Sequence, residues 1–186
     1  MAMPAPETQW TAEMVRALPD DGNRYELLDG ELVVSPAPSL AHQSVVGELL
    51  GRFREYLRGK RIGAVFASPA DMEFSTGRLV QPDVFVAPLI EGKRPREWSA
   101  IKQLLLVVEV ASPSTVRVDR GRKRKIYLEE EVPEYWIVHP DARLAECWRP
   151  GLEQPVIVDD VLRWRPAPDG PELIVDLPEL FEEALG

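Results

Sequence analysis

Leu104-Leu105-Leu106-Val107-Val108-Glu109-Val110-Ala111 carries one charge in an otherwise apolar run. It is too apolar for a half-exposed strand and too rich in β-branched residues for a helix, so it predicts a central strand buried on both faces. A carboxylate in such surroundings costs several kcal/mol unless it is paired or binds a metal. Glu109 is therefore the first candidate for chemistry, the plain alternative being an ion pair with an Arg, or a backbone N–H bond, at the strand's carboxyl end. Upstream, Val80-Gln81-Pro82-Asp83-Val84-Phe85-Val86 repeats the theme, with a carboxylate introducing an apolar strand. Pro-Asp occurs four times in the chain, and only Pro82-Asp83 opens such a strand.

Downstream, residues 119–130 predict a helix. A step of about 100° per residue puts Asp119, Lys123, Ile126, Tyr127 and Glu130 on one face, with Lys125 opposite. Ile126 and Tyr127 mark the face toward the sheet, so Lys123 is the lysine carried inward, either to a site or merely snorkelling over the sheet edge. Two carboxylates on neighbouring strand ends suit a hard divalent cation such as magnesium, or manganese. A nearby lysine could orient or deprotonate water and offset charge growing on a phosphate.

The N-terminal half adds further elements. Thr11 caps a short helix over 11–18. Residues 24–28 and 31–35 flank Asp29-Gly30, a dipeptide that accepts the positive φ angles of a tight hairpin turn. Residues 41–58 form the strongest helix, with Ser39 as cap and Val45, Val46, Leu49, Leu50, Phe53 and Leu57 in a stripe. His42 lies in that stripe one turn in, as a core histidine or as a group reaching phosphate or metal-bound water. Glu26 and Glu31 sit on opposite hairpin strands, solvated by default, though either could reach a site beneath the hairpin. Further strands are expected over 64–66, 71–74, 79–87, 135–138 and 144–148. Strand-like pieces follow at 156–158 and 173–175, then a helix over 177–185. The pattern is α/β or α+β around a mixed sheet, with residues 1–10 as a flexible tail and 11–186 as a single domain.

Composition narrows the classes. The chain has 186 residues, 45% hydrophobic and 28% charged, with a net charge of −9 and one cysteine, Cys147. That is globular, excludes an intramolecular disulfide or a cysteine-rich zinc site, and disfavours a broad grip on DNA or on anionic membrane. No apolar run approaches a membrane span and no signal-like N-terminus is visible, so a cytoplasmic protein is expected. The basic residues cluster locally: six lie between Arg117 and Lys125 against one acid, as a solvated helix face or a phosphate-contacting patch.

As an ensemble, Arg24-Tyr25-Glu26-Leu27-Leu28-Asp29-Gly30-Glu31-Leu32, Ser35-Pro36 with His42-Gln43, Gln81-Pro82-Asp83-Val84 and Val107-Val108-Glu109-Val110-Ala111-Ser112-Pro113-Ser114-Thr115 resemble the Uma-two family. So do Asp119-Arg120-Gly121-Arg122-Lys123 with Tyr127 and Val132-Pro133-Glu134-Tyr135-Trp136-Ile137-Val138. The family is classed with restriction endonucleases in the PD-(D/E)XK nuclease superfamily. The resemblance implies a restriction-endonuclease-like core, a mixed four-stranded sheet with helices on both sides, and magnesium-dependent cleavage of phosphodiesters in nucleic acid, DNA above RNA. Asp83 and Glu109 would be the metal ligands. Ala111 stands where the superfamily's lysine is expected, which implies that this role has moved to Lys123. His42 and Glu31 match family positions of less settled role, and Arg120, Arg122 and Arg124 would offer phosphate contacts. A homodimer is expected, because cutting both strands of a duplex generally takes two sites. Two other readings remain: a non-catalytic nucleic-acid-binding or regulatory module on the same fold, or an oligomerising protein that uses Trp98, Trp148 and Trp164 as subunit contacts.

Overall fold

The computed structural model describes residues 9–186. Most of the expected tail, residues 1–8, lies outside the described residues. Trp10 is attached: its N–H donates to the Gly30 carbonyl at 3.2 Å and its ring packs beside Ala12, Val15, Leu27 and Leu79. Helix α1 (Ala12–Arg16) starts at Thr11, whose side chain accepts from the Met14 N–H. Strands β1 (Arg24–Leu28) and β2 (Glu31–Ser35) form the expected hairpin, Asp29 and Gly30 taking φ of 52° and 87° at its turn. Helix α2 (Leu40–Leu57) buries the predicted stripe, and Ser39 accepts from His42 N–H as its cap.

The fold is α+β, a mixed central sheet flanked by helices, but the sheet is larger than the resemblance implied. It has six strands, in the order β10-β9-β8-β7-β6-β3, and only β7 and β8 run parallel. These strands are β3 (Gly63–Ala67), β6 (Val84–Pro88), β7 (Leu106–Val110), β8 (Tyr135–His139), β9 (Leu144–Trp148) and β10 (Val156–Val158). All five residues of β7 are buried, as its apolar run requires. The single strand expected over 79–87 is two strands. β5 (Arg78–Val80) joins β4 (Met72–Ser75) and the hairpin in a four-stranded antiparallel sheet ordered β2-β1-β5-β4, while β6 enters the central sheet. Pro82, which cannot donate to a ladder, sits at the crossing.

One face of the central sheet packs against α2 and the terminal helix α5 (Leu177–Leu185) through Phe53, Val86, Val108, Trp136 and Phe181. A two-stranded ribbon, β11 (Val161–Trp164) with β12 (Leu173–Asp176), extends that core and buries Trp164; β11 has no counterpart among the expected strands. The other face meets the four-stranded sheet and one helical segment. That segment runs through α3 (Val116–Val118), a π-helical turn at Asp119–Lys123 and α4 (Arg124–Glu129). Trp148 and Trp164 are buried in these cores, which removes them as subunit contacts; Trp98 is 42% exposed. Among the described residues no helix is long and apolar enough to cross a membrane.

Candidate active site

Antiparallel pairing of β6 with β7 sets the start of one strand against the end of the other, Val84 opposite Val108. Asp83 therefore stands beside the carboxyl end of β7, where its Oδ2 accepts from the Val110 N–H at 2.8 Å and contacts His42 Nε2 at 3.0 Å. Arg24 Nη1 stands 2.8 Å from Oδ1, yet no N–H is aligned on that oxygen, which is buried without a hydrogen bond. Although burial opposes ionisation, the His42 hydrogen bond and the charge of Arg24 hold Asp83 well below the usual carboxylate range.

Glu109 lies on the face of β7 that carries Val107, away from α2, and lines the same cavity as Asp83. Its Oε1 accepts from Lys123 Nζ at 3.0 Å and from the Tyr127 hydroxyl at 2.8 Å. Lys123 also lies 2.8 Å from Glu26 Oε1 and 3.9 Å from Asp119 Oδ1. Glu26 in turn accepts from the Gln81 N–H at 2.7 Å, which ties β1 to the chain just before Asp83. The π-helical turn matters here. It keeps Asp119 and Lys123 buried together on the side of Ile126 and Tyr127, the inward set expected from helical spacing. Lys125, on the opposite face, is 60% exposed.

The charges do not balance. Four buried carboxylates, Glu26, Asp83, Glu109 and Asp119, face two permanent cations, Arg24 and Lys123. Desolvation raises Glu109 well above the usual glutamate range and pushes Asp119 up to about 6, in each case against the attraction of Lys123. Neighbouring carboxylates raise both further. Lys123, surrounded by acids, is raised despite its burial and stays protonated. The cluster encloses a cavity of about 20 Å³, room for roughly one water-sized sphere.

The structure thus brings Asp83, Glu109, Lys123 and His42 together and adds Arg24, Glu26, Asp119 and Tyr127. Arg24 and Glu26 share one face of β1, two residues apart, and that spacing was the available signal. Glu31 is outside the cluster. It occupies the turn end of the hairpin, opposite Leu28, and pairs with Arg122 at 2.5 Å in solvent. Arg120 binds Glu146 (Nε to Oε1, 2.6 Å), and Arg124 lies 4.4 Å over the Trp148 ring. Arg120, Arg122 and Arg124 are thereby tied to acids and an aromatic ring of their own chain.

The oxygen donors suit a hard divalent cation: an orphaned Asp83 Oδ1 and a surplus of buried carboxylates are what such an ion compensates. No cluster of three or more potential ligands is arranged around one point among the described residues.

The family model described as "Uma2: Putative restriction endonuclease" matches residues 12–178. Among solved structures, the crystal structure of a "putative nuclease belonging to DUF820" from Anabaena variabilis is similar with a TM-score of 0.77. It shares 18% identity, over 95% of this chain and 99% of that one, a likeness of fold. No curated protein matches. A family match that runs from the first helix into the last, over a nuclease-like fold with carboxylates converging at one end of its sheet, means that the chain belongs to the Uma2 family of "Putative restriction endonuclease" proteins.

Proposed function

We propose that the chain is an endonuclease that hydrolyses phosphodiester bonds of DNA with a divalent cation, magnesium or manganese, held by Asp83 and Glu109. The observation that carries this reading is the buried carboxylate surplus around a cavity, with Asp83 Oδ1 lacking a hydrogen bond. The family's description favours DNA as the substrate. When bound, a divalent cation supplies an acidified water and charge neutralisation at the scissile phosphate.

The chain's own residues divide the remaining work. Lys123, kept protonated by the acids around it, donates hydrogen bonds and so orients the attacking water or a phosphate oxygen rather than taking a proton. Tyr127 fixes Glu109 by donating to Oε1, and the Val110 N–H and His42 fix Asp83 by holding Oδ2. Glu26 holds Lys123 from the other side and anchors Gln81, so it positions both the lysine and the strand that carries Asp83. A homodimer would supply the two sites that double-strand cleavage takes.

The test is cleavage of supercoiled plasmid, single-stranded DNA and RNA with magnesium or manganese by wild type, Asp83→Asn, Glu109→Gln and Lys123→Met. Magnesium titration of the melting temperature runs in parallel. Metal-dependent cutting and metal-induced stabilisation, both lost in Asp83→Asn and Glu109→Gln, are expected. A folded wild type that neither cuts with any metal nor gains stability from one overturns the reading. Light scattering of a 21.0 kDa particle would overturn the dimer.

A further inference from the structure

Beside the carboxylate cavity lies a second, larger one of about 190 Å³, between two short loops, residues 35–39 and 112–115. The two cavities share Arg24, Ser35, His42 and Thr115, so the larger opens directly onto the candidate active site. Its lining is unusual for this chain. In a protein with 31 acids, neither loop contains one: they read Ser35-Pro36-Ala37-Pro38-Ser39 and Ser112-Pro113-Ser114-Thr115. A cavity at the other end of the sheet, about 340 Å³, is lined by Glu129, Glu130 and Glu131 and would repel an anion.

Three features of this groove favour a phosphate. The hydroxyls of Ser112, Ser114 and Thr115 form one cluster, with Ser112 Oγ 3.0 Å from both of the others and the Ser112 N–H donating to Thr115 Oγ1 at 3.3 Å, so the Ser112 and Ser114 protons can rotate toward an incoming oxygen. Arg24 is largely buried at the junction of the two cavities, and Nη1 alone accounts for its bonds to the Gln81 carbonyl (3.4 Å) and its approach to Asp83. Its remaining donors form the planar fork that matches phosphate oxygens. His42, whose side chain is 9% exposed, lines the groove in the first turn of α2; Asp83 takes its Nε2, and its buried Nδ1 has no partner. The same turn presents N–H groups without intrahelical partners.

We propose that this groove seats the sugar–phosphate backbone of the nucleic-acid strand next to the cleaved bond, with Arg24 as the fork on the phosphate at the junction. It rests on the nuclease reading and adds where the strand lies. The acid-free walls supply the local acceptance of a polyanion that a net charge of −9 otherwise denies.

The test places an anion in each wall at an exposed loop position, Ala37→Asp and Ser114→Asp, where folding is not at risk. Arg24→Lys keeps the charge and loses the fork, and Leu152→Asp, on a remote exposed turn, is the control. Binding of a fluorescent single-stranded oligodeoxynucleotide and of its duplex is followed by anisotropy in calcium, and cleavage kinetics in magnesium. Each wall variant is expected to weaken binding roughly tenfold or more, as for a lost phosphate contact, and to raise KM more than it lowers kcat. Arg24→Lys should weaken binding as well, with the control unchanged. If wild type cuts and the wall variants bind and cut as it does, the groove assignment is overturned and the nuclease reading stands. If wild type neither binds nor cuts nucleic acid, both fall.

Discussion

Glu109 and Glu146 are two buried glutamates on the same face of the same sheet, in register across Ile137. Both are held by cations from one helical segment, Lys123 for Glu109 and Arg120 for Glu146. Their surroundings differ. Glu146 is matched on both oxygens: Arg120 and His139 meet Oε1 and the Trp148 indole N–H meets Oε2, and among the described residues no second carboxylate shares Arg120 or His139. Glu109 shares its lysine with Glu26 and Asp119, faces Asp83 across a cavity, and is pushed upward in pKa. A buried carboxylate is therefore not a mark of a site in itself. An unmatched surplus of them, with space beside it, is.

The difference predicts opposite responses to the same isosteric change. Glu109→Gln should lower cleavage about 10²–10³-fold, the scale at which one group of a preorganised electrostatic site is lost, while Glu146→Gln should leave it within about threefold. Steady-state rates on plasmid, with circular dichroism to confirm folding, separate the two. Equal losses would mean that Glu146 positions the π-helical turn for catalysis. Stability sharpens the contrast. Lys123→Met leaves three carboxylates without their shared cation and should cost about 3–5 kcal/mol at pH 7.5 in urea unfolding. Adding Glu109→Gln should restore part of that, a coupling that a double-mutant cycle reads directly.

The surplus also has a pH signature. Asp119 is raised to about 6 from 3.8, so its protonated form is favoured by folding. Its contribution is fully present below about pH 4 and is lost as pH rises through 6. Asp83 is depressed and acts in the opposite sense, contributing above its unfolded value and losing that contribution as pH falls. The stability of wild type relative to Asp119→Asn should therefore fall by on the order of 1–3 kcal/mol between pH 4 and 6.5. Urea midpoints at the two pH values check it, and a flat difference would show that neither burial nor the neighbouring acids raise Asp119.

Much of this contrast is legible in the sequence because it rests on local rules. The apolar run around Glu109, the positive-φ turn at Asp29-Gly30, the stripe of α2 and the inward face of Lys123 each follow from spacing, and the structure keeps them. What spacing misses is set by pairing at a distance. The run over 79–87 reads as one strand because its apolar character is continuous, yet Pro82 breaks the ladder and sends its halves to different sheets. Arg24 and Glu26 reach the site only because β1 pairs with β5 through Leu27 and Leu79, a contact with no local signal. The π-helical turn is equally silent, since Asp119–Lys123 would wind as an ordinary helix on propensity alone. The surroundings of the basic run are likewise silent in the sequence: Arg120 and Arg122 meet acids and Arg124 an aromatic ring, all brought to them from distant strands.

The hairpin acids give the smallest expected effect. Glu26 and Glu31 sit on the same face of the hairpin, Glu26 opposite Val33 and Glu31 opposite Leu28, so strand alternation does not separate them. Position along the strand does. Two residues of a strand span roughly 7 Å, enough to carry the Glu31 level past the cavity and into solvent, where its side chain is 67% exposed beside a half-exposed Arg122. An exposed pair of this kind contributes about 0–1 kcal/mol and is screened by salt. Glu31→Gln should therefore leave cleavage unchanged and shift stability by less than about 0.5 kcal/mol. Glu26→Gln, which weakens the hold on Lys123, should slow cleavage at least tenfold. A loss of cleavage in Glu31→Gln comparable to that in Glu26→Gln would require the turn of the hairpin to fold over the cavity when substrate binds, and would make Arg122 its partner in that movement.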